Sequence, residues 1–260
     1  ITANKNEAQK FNFKHISEFD KEIGGRYSIW SRISFAAAFF AMPENHENTF
    51  DNFCLGGSTA DSLISDDEDY QKFVKMLAFS DIWFHNFKEK NTRAILSYDW
   101  KLRSLPNYFQ QLEMESLGKR PSKNSEFKKT GQIIFGGYGP TAQHSYFQLL
   151  HQGTQNICAD IILNQENEYN GLAYSQGITQ ARLLSEGAKT LLKDEETING
   201  NVPVNLFIFD GIDAKKLGFL IATWEYRVFI TSVMLQINPF DQFGVNAGKI
   251  YTKKYRTEKD

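Results

Sequence analysis

Residues 130–154 read TGQIIFGGYGPTAQHSYFQLLHQGT, and the reading of this stretch decides the fold. Gln132–Phe135 reads as a short strand, and Gly136, Gly137, Gly139 and Pro140 read as a turn. The residues beyond them read as a helix that carries His144 in its first turn. A buried strand that passes into a helix through glycines is the building unit of an α/β sheet, and such sheets often place their chemistry at that junction.

Working outward, Thr92–Tyr98, Asn156–Leu163 and Leu206–Phe209 read as further strands. Helices are expected over Tyr27–Met42, Tyr70–Phe87, Pro106–Lys119, Tyr174–Lys193 and Ala214–Gln236. Tyr27–Met42 is apolar nearly all round and is expected to need cover on most sides. Asp66–Asp69 reads as a solvated helix start, and Asp213 as the cap of the last helix, where Leu217, Ile221, Trp224, Val228, Thr231 and Leu235 keep helical spacing. Pro43–Asn48 reads as a turn, and Gly56–Thr59 as a turn with an N-cap rather than a phosphate cradle. Strands alternating with helices imply one compact α/β unit, a parallel sheet flanked by helices on both faces.

Composition excludes several function classes. A net charge of -2 with 23% charged residues gives no electrostatic footprint for nucleic acid or a membrane surface. The apolar region Leu217–Ile237 is interrupted by Glu225 and Arg227, so it reads as a buried helix and not as a membrane span. Cys54 and Cys158 lie far apart within apolar runs, which implies buried thiols in a reducing, cytoplasmic setting and neither a disulfide framework nor a zinc site. No secretory signal is visible, although the chain opens at Ile1 and not at Met.

Seven polar positions stand out. At a helix start His144 would meet a positive macrodipole that disfavours protonation, so it reads either as a neutral proton-transfer group or as a histidine bonded to a backbone carbonyl. His151, seven residues on, would lie about 10 Å further along the axis, too far to share a metal with His144. Glu113 and Glu115 are about 200° apart on a helix, so only one can face a given cleft; Glu113 reads as solvated, and Glu115 either as that cleft's carboxylate or as a surface partner of Lys119. Arg26 follows two glycines at a helix start, which suits an anion site or a pair with Asp20 or Glu22. Gln242 and Lys249, with Gly244 and Gly248 between them, read only as loop residues. No nucleotide-binding glycine fingerprint or Ser/His/Asp order is present.

Taken together, four stretches resemble the glucose-6-phosphate isomerase family. They are Gly24-Gly25-Arg26-Tyr27-Ser28, then Met114-Glu115-Ser116-Leu117-Gly118-Lys119, then Gln143-His144 with His151-Gln152-Gly153-Thr154, and Phe240-Asp241-Gln242 through Lys249. Phe50-Asp51-Asn52-Phe53 and Trp224-Glu225-Tyr226 also fit, while Arg32, Ser34, Leu117, Thr141-Ala142 and Asn246 depart from the usual residues. The resemblance implies a three-layer αβα fold of the sugar-isomerase (SIS) type. It further implies that residues 1–260 are the second SIS domain with helical insertions. The first SIS domain, with its phosphate-holding loop, and part of the C-terminal arm would lie outside them, leaving the isolated chain inactive.

The resemblance also implies roles. Glu115 would shuttle the proton between C2 and C1 of the open-chain sugar phosphate, Arg26 would stabilise the enediolate, and His144 and Lys249 would open the ring. Gln111 and Gln242 would contact substrate, and Glu113 has no role. No cofactor and no metal are implied. The partners expected are the sugar-phosphate substrate and a second copy of the chain, because in the family the counterpart of His144 reaches the site from the other subunit of a homodimer. Two alternatives stand beside this: a non-catalytic sugar-phosphate-binding regulatory module, and an isomerase that also accepts mannose 6-phosphate.

Overall fold

Among the described residues four strands carry the fold, β1 (Thr92–Ser97), β2 (Ile133–Tyr138), β3 (Ile157–Asn164) and β4 (Val204–Phe209), in the order β2-β1-β3-β4 and all parallel. The structure is a computed structural model and describes residues 1–20, 22–42, 44–165, 171–189 and 193–257. Every residue of the central strand β3 is buried, as expected of a parallel strand covered on both faces.

Side chains alternate between two apolar layers. Ile95, Ile134, Ile162 and Phe207 point into one core with Phe109, Leu112, Leu220, Trp224 and Val228. Ala94, Leu96, Ile161 and Leu163 point into the other with Phe147, Leu150, Ala181 and Leu184. The helices in chain order are α1 (Lys5–Ala8), α2 (Arg32–Ala41), α3 (His46–Asp66), α4 (Glu68–Phe87), α5 (Leu105–Leu117), α6 (Gly139–Ala142), α7 (Phe147–Gln152), α8 (Gly171–Glu186), α9 (Ala214–Met234) and α10 (Phe243–Thr257). Helices α5 and α9 supply the first layer and α6, α7 and α8 the second, which makes the expected αβα sandwich. Phe109 and Trp224 stack at 4.0 Å in the middle of the first layer. Both are fully buried, and a side chain of this kind contributes about 1.5–3 kcal/mol.

Several expectations need correction. Gly136 and Gly137 belong to β2 and not to a turn; a Cβ on Gly136 would come within 1.8 Å of the Ile95 carbonyl oxygen on the neighbouring strand. Gly56–Thr59 is neither turn nor cap but the middle of α3. There α3 and α9 cross so closely that a Cβ on Gly56 would lie 1.9 Å from the Lys215 carbonyl oxygen, and one on Gly218 2.0 Å from that of Phe53. Ser58 and Thr59 spend their hydroxyls on the Cys54 and Leu55 carbonyls one turn back.

Tyr27–Met42 is not one covered helix. A 3₁₀ segment, Gly25–Trp30, precedes α2, and no residue of α2 is buried. Gln242 lies in a loop as expected, but Lys249 does not, since α10 begins at Phe243. The helix expected at Tyr174–Lys193 is α8, which ends at Glu186; residues 190–192 of that expectation, and Pro43 of the turn, lie outside the described residues. Asp67 and Asp213 cap α4 and α9 by accepting from Tyr70 N and Lys216 N. Among the described residues no helix is long and apolar enough to cross a membrane. Cys158 is buried, while Cys54 is only partly so.

Candidate active site

The helix α5 turns two faces to two different environments. Glu113 points inward and is not solvated as expected. Its carboxylate accepts from Arg93 and, at 2.7 Å, from Trp224 Nε1. It belongs to a buried network in which Arg227 binds Asp81 through Nε and Nη2 at 2.7 and 2.6 Å and Asp160 through Nη1 at 2.9 Å, while Arg93 binds Asp81. Burial outweighs the guanidiniums of Arg93 and Arg227 and pushes the Glu113 carboxyl up.

The opposite face carries Gln111 and Glu115 one turn apart, and Gln111 Nε2 donates to Glu115 Oε2 at 3.2 Å. Arg26 meets them from the 3₁₀ segment, its Nη1 3.4 Å from Glu115 Oε2. Arg26 is fully buried, and its donors can be counted. Nε donates to Ser116 Oγ at 2.7 Å, Nη2 donates to the Pro239 and Asp241 carbonyls, and Nη1 donates to Gln242 Oε1 at 3.0 Å. A guanidinium has five N–H groups, so among the described residues one Nη1 donor is left over, on the nitrogen that faces Glu115. The alternative pairing of Arg26 with Asp20 or Glu22 does not occur.

Lys119 completes the constellation without binding the Glu115 carboxylate. Its ammonium donates to the Glu115 carbonyl at 2.9 Å and to the Asp241 carbonyl at 2.6 Å, and pairs with Asp241 Oδ1 at 3.1 Å. It thereby fastens the end of α5 to the segment that carries Gln242. A cleft of about 700 Å³ opens here, lined by Glu115, Lys119, Arg120, Asp241 and Gln242 among others. Ser116, Lys119 and Asp241 all lie inside the quoted motifs, but nothing in their spacing says which neighbour each one binds.

His144 and Lys249 do not join this cluster within one chain. His144 is exposed, in the turn after α6 and not in the first turn of a helix as expected. Gly131, leading into β2, packs on the Leu117–Gly118 backbone at the end of α5, whereas His144 lies beyond the other end of that strand. The six residues of β2 span about 20 Å and separate the two. Lys249 is exposed on α10 and lines a different groove with Gly248, Thr252 and Arg256. His151 packs edge-on against Phe147 at 5.3 Å, and burial lowers its pKa, as suits a structural side chain. Among the described residues no group of three or more His, Cys, Asp or Glu side chains is placed to hold a metal ion.

The phosphoglucose isomerase family model matches residues 1–260. The chain belongs to that family. Relatives include a glucose-6-phosphate isomerase of Hydrogenovibrio crunogenus, 35% identical over 92% of this chain and 48% of the relative, and one of Aspergillus oryzae, 33% identical over 99% of this chain and 50% of the relative. The crystal structure of a glucose-6-phosphate isomerase from Chlamydia trachomatis superposes with a TM-score of 0.83 at 26% identity, covering 95% of this chain and 50% of that one. The sheet and its flanking helices are thus those of the sugar-isomerase type. The chain spans about half the length of the curated relatives it matches.

Proposed function

We propose that this protein is an aldose–ketose isomerase that interconverts glucose 6-phosphate and fructose 6-phosphate, with residues 1–260 as a second sugar-isomerase domain that supplies part of each site. The observation that carries the reading is the approach of Arg26 to Glu115. One buried cation, three of its donors spent on the fold and one on Gln242, keeps a single N–H beside a carboxylate at the edge of a cleft.

That arrangement answers the demand of the reaction. The proton on C2 of an open-chain aldose is weakly acidic, so its removal needs a positioned base and a donor aimed at the oxygen on which charge develops. Glu115 takes the C2 proton and returns it to C1, while the free Arg26 N–H stabilises the enediolate between the two transfers. Gln111 and Gln242 flank these groups and bind sugar hydroxyls. A fixed guanidinium costs no reorganisation at the moment charge appears, and a donor of this kind contributes about 10²–10³-fold in rate.

His144 and Lys249 open the sugar ring in this reading. Since β2 lies between His144 and Glu115, the site draws its histidine from a second copy of the chain, which makes the protein a homodimer with two shared sites. The setting is cytoplasmic, with no cofactor in the reaction. A dehydrogenase-linked assay on the full-length protein that converts fructose 6-phosphate to glucose 6-phosphate tests the proposal; no turnover above background removes it.

A further inference from the structure

Glu225 sits behind Arg26 rather than in the cleft. On α9 its Oε2 accepts from Trp30 Nε1 at 2.8 Å, and its Oε1 lies 3.1 Å from Tyr108 Oη. The same Tyr108 Oη is 2.9 Å from the Arg26 carbonyl oxygen. Arg26 and Trp30 both belong to the 3₁₀ segment Gly25–Trp30. One carboxyl group therefore touches that segment at its last residue directly, and at its second residue through Tyr108.

Proton counting constrains this arrangement. A peptide carbonyl only accepts, and a phenol has one proton to give. When Tyr108 donates to the Arg26 carbonyl, its contact with Glu225 is a hydrogen bond only if Glu225 carries a proton. An ionised Glu225 would be the stronger acceptor, and it would draw the Tyr108 proton to itself and away from Arg26.

We infer that Glu225 is a positioning residue for Arg26, held as a neutral carboxylic acid that donates to Tyr108 so that Tyr108 holds the Arg26 backbone.

The surroundings favour the neutral form. Glu225 borders a cavity of about 520 Å³ walled by Trp30, Ala222, Phe229 and Phe240 among others. Burial pushes its carboxyl up to about 7 against the bonds from Trp30 and Tyr108, and the like charge of Asp61 adds to the rise. The titratable groups around it come from every element packed there. They are Tyr27 on the 3₁₀ segment, Cys54 and Asp61 on α3, Tyr108 on α5 and Tyr226 on α9 itself, whose hydroxyl donates to Asp61 at 2.7 Å. Among the described residues no cation bonds to the Glu225 carboxyl group.

The catalytic consequence rests on the isomerase reading; the protonation state does not, and the test separates them. Infrared difference spectra of wild type against Glu225→Gln read the carbonyl stretch of a protonated carboxyl group without reference to turnover. The band is expected in wild type below pH 7, shifted by a ¹³C-glutamate label, absent from the variant, and lost as pH rises. Its absence from wild type overturns the inference whatever the protein catalyses.

Isomerisation measured against pH gives the second readout. Wild type should lose kcat on the alkaline side of Glu225 titration, whereas Glu225→Gln, whose amide donates to Tyr108 and accepts from Trp30 at any pH, should keep wild-type kcat and lack that limb. Tyr108→Phe, with no proton for Arg26, should lower kcat by about 10²-fold at every pH and change KM less. A limb that persists in Glu225→Gln, or wild-type kcat in Tyr108→Phe, overturns the positioning role.

Discussion

The Arg26 guanidinium and the Glu115 carboxylate stand 3.4 Å apart, the first with none of its side chain exposed and the second with 17% exposed. The cation is part of the fold, and the carboxylate is open to the cleft. A fixed donor beside an accessible base is the geometry of proton transfer next to an oxygen that becomes negative.

In the proposed reaction, replacing Glu115 keeps the shape and removes the chemistry. Glu115→Gln should abolish isotope exchange at C2 of the sugar phosphate, a loss of at least about 10²–10⁴-fold, while binding of the sugar phosphate persists in calorimetry. Exchange at the wild-type rate would take Glu115 out of the base role.

The separation of His144 from Glu115 by the length of β2 makes a prediction about assembly. In the proposed homodimer, subunits carrying Glu115→Gln and subunits carrying His144→Ala, each inactive alone, should regain activity when mixed and refolded, because one of the two proposed shared sites is then built from intact residues. Mixtures as inactive as their parents would show that each site is made within one subunit.

Glu113 is two residues from Glu115 and should behave oppositely. Truncation by Glu113→Ala leaves Arg93 short of a buried partner, and breaking such a pair costs about 3–5 kcal/mol. The urea midpoint should fall accordingly. A variant as stable as wild type would mean that the network contributes nothing to the fold.

The Glu225 carboxyl also makes stability depend on pH. Its folded pKa of about 7 stands above the ordinary 4.5, so between those values the folded chain holds a proton that the unfolded chain releases. Its contribution is therefore fully present below pH 4.5 and is lost as pH rises through about 7. The stability of wild type relative to Glu225→Gln should drop across that range by up to about 3 kcal/mol. Denaturant titrations at several pH values measure it, and a difference that stays flat would remove the shift.

Much of the fold is legible in the residues. Short apolar runs mark all four strands, and the Asp66–Asp69 cluster and Asp213 announce α4 and α9 because a carboxylate before an apolar-periodic run satisfies free N–H groups. The 200° between Glu113 and Glu115 correctly separates their faces. Which face is wet is not legible, since nothing local to α5 says that Arg93 of β1 and Arg227 of α9 converge on Glu113. Gly56 and Gly57 mislead for the same reason: glycine signals a turn locally, and only the crossing with α9 at Gly56 and the Trp30 ring against Gly57 make them contact surfaces. The apolar run of α2 implies cover, yet none of its residues is buried.

The strands and most of the helices, the αβα class and the four motifs of residues 24–28, 114–119, 143–154 and 240–249 can be read from the residues alone, because apolar patterning, capping and motif spacing are local properties. Which motif residues meet depends instead on contacts between segments far apart in the chain. Arg26, Glu115, Gln111 and Gln242 converge because Lys119 and the Pro239 and Asp241 carbonyls tie three distant segments together. His144, in the stretch whose strand and glycines reveal the fold, lies off the far end of β2, because an extended strand has a fixed length and holds the residues at its two ends apart.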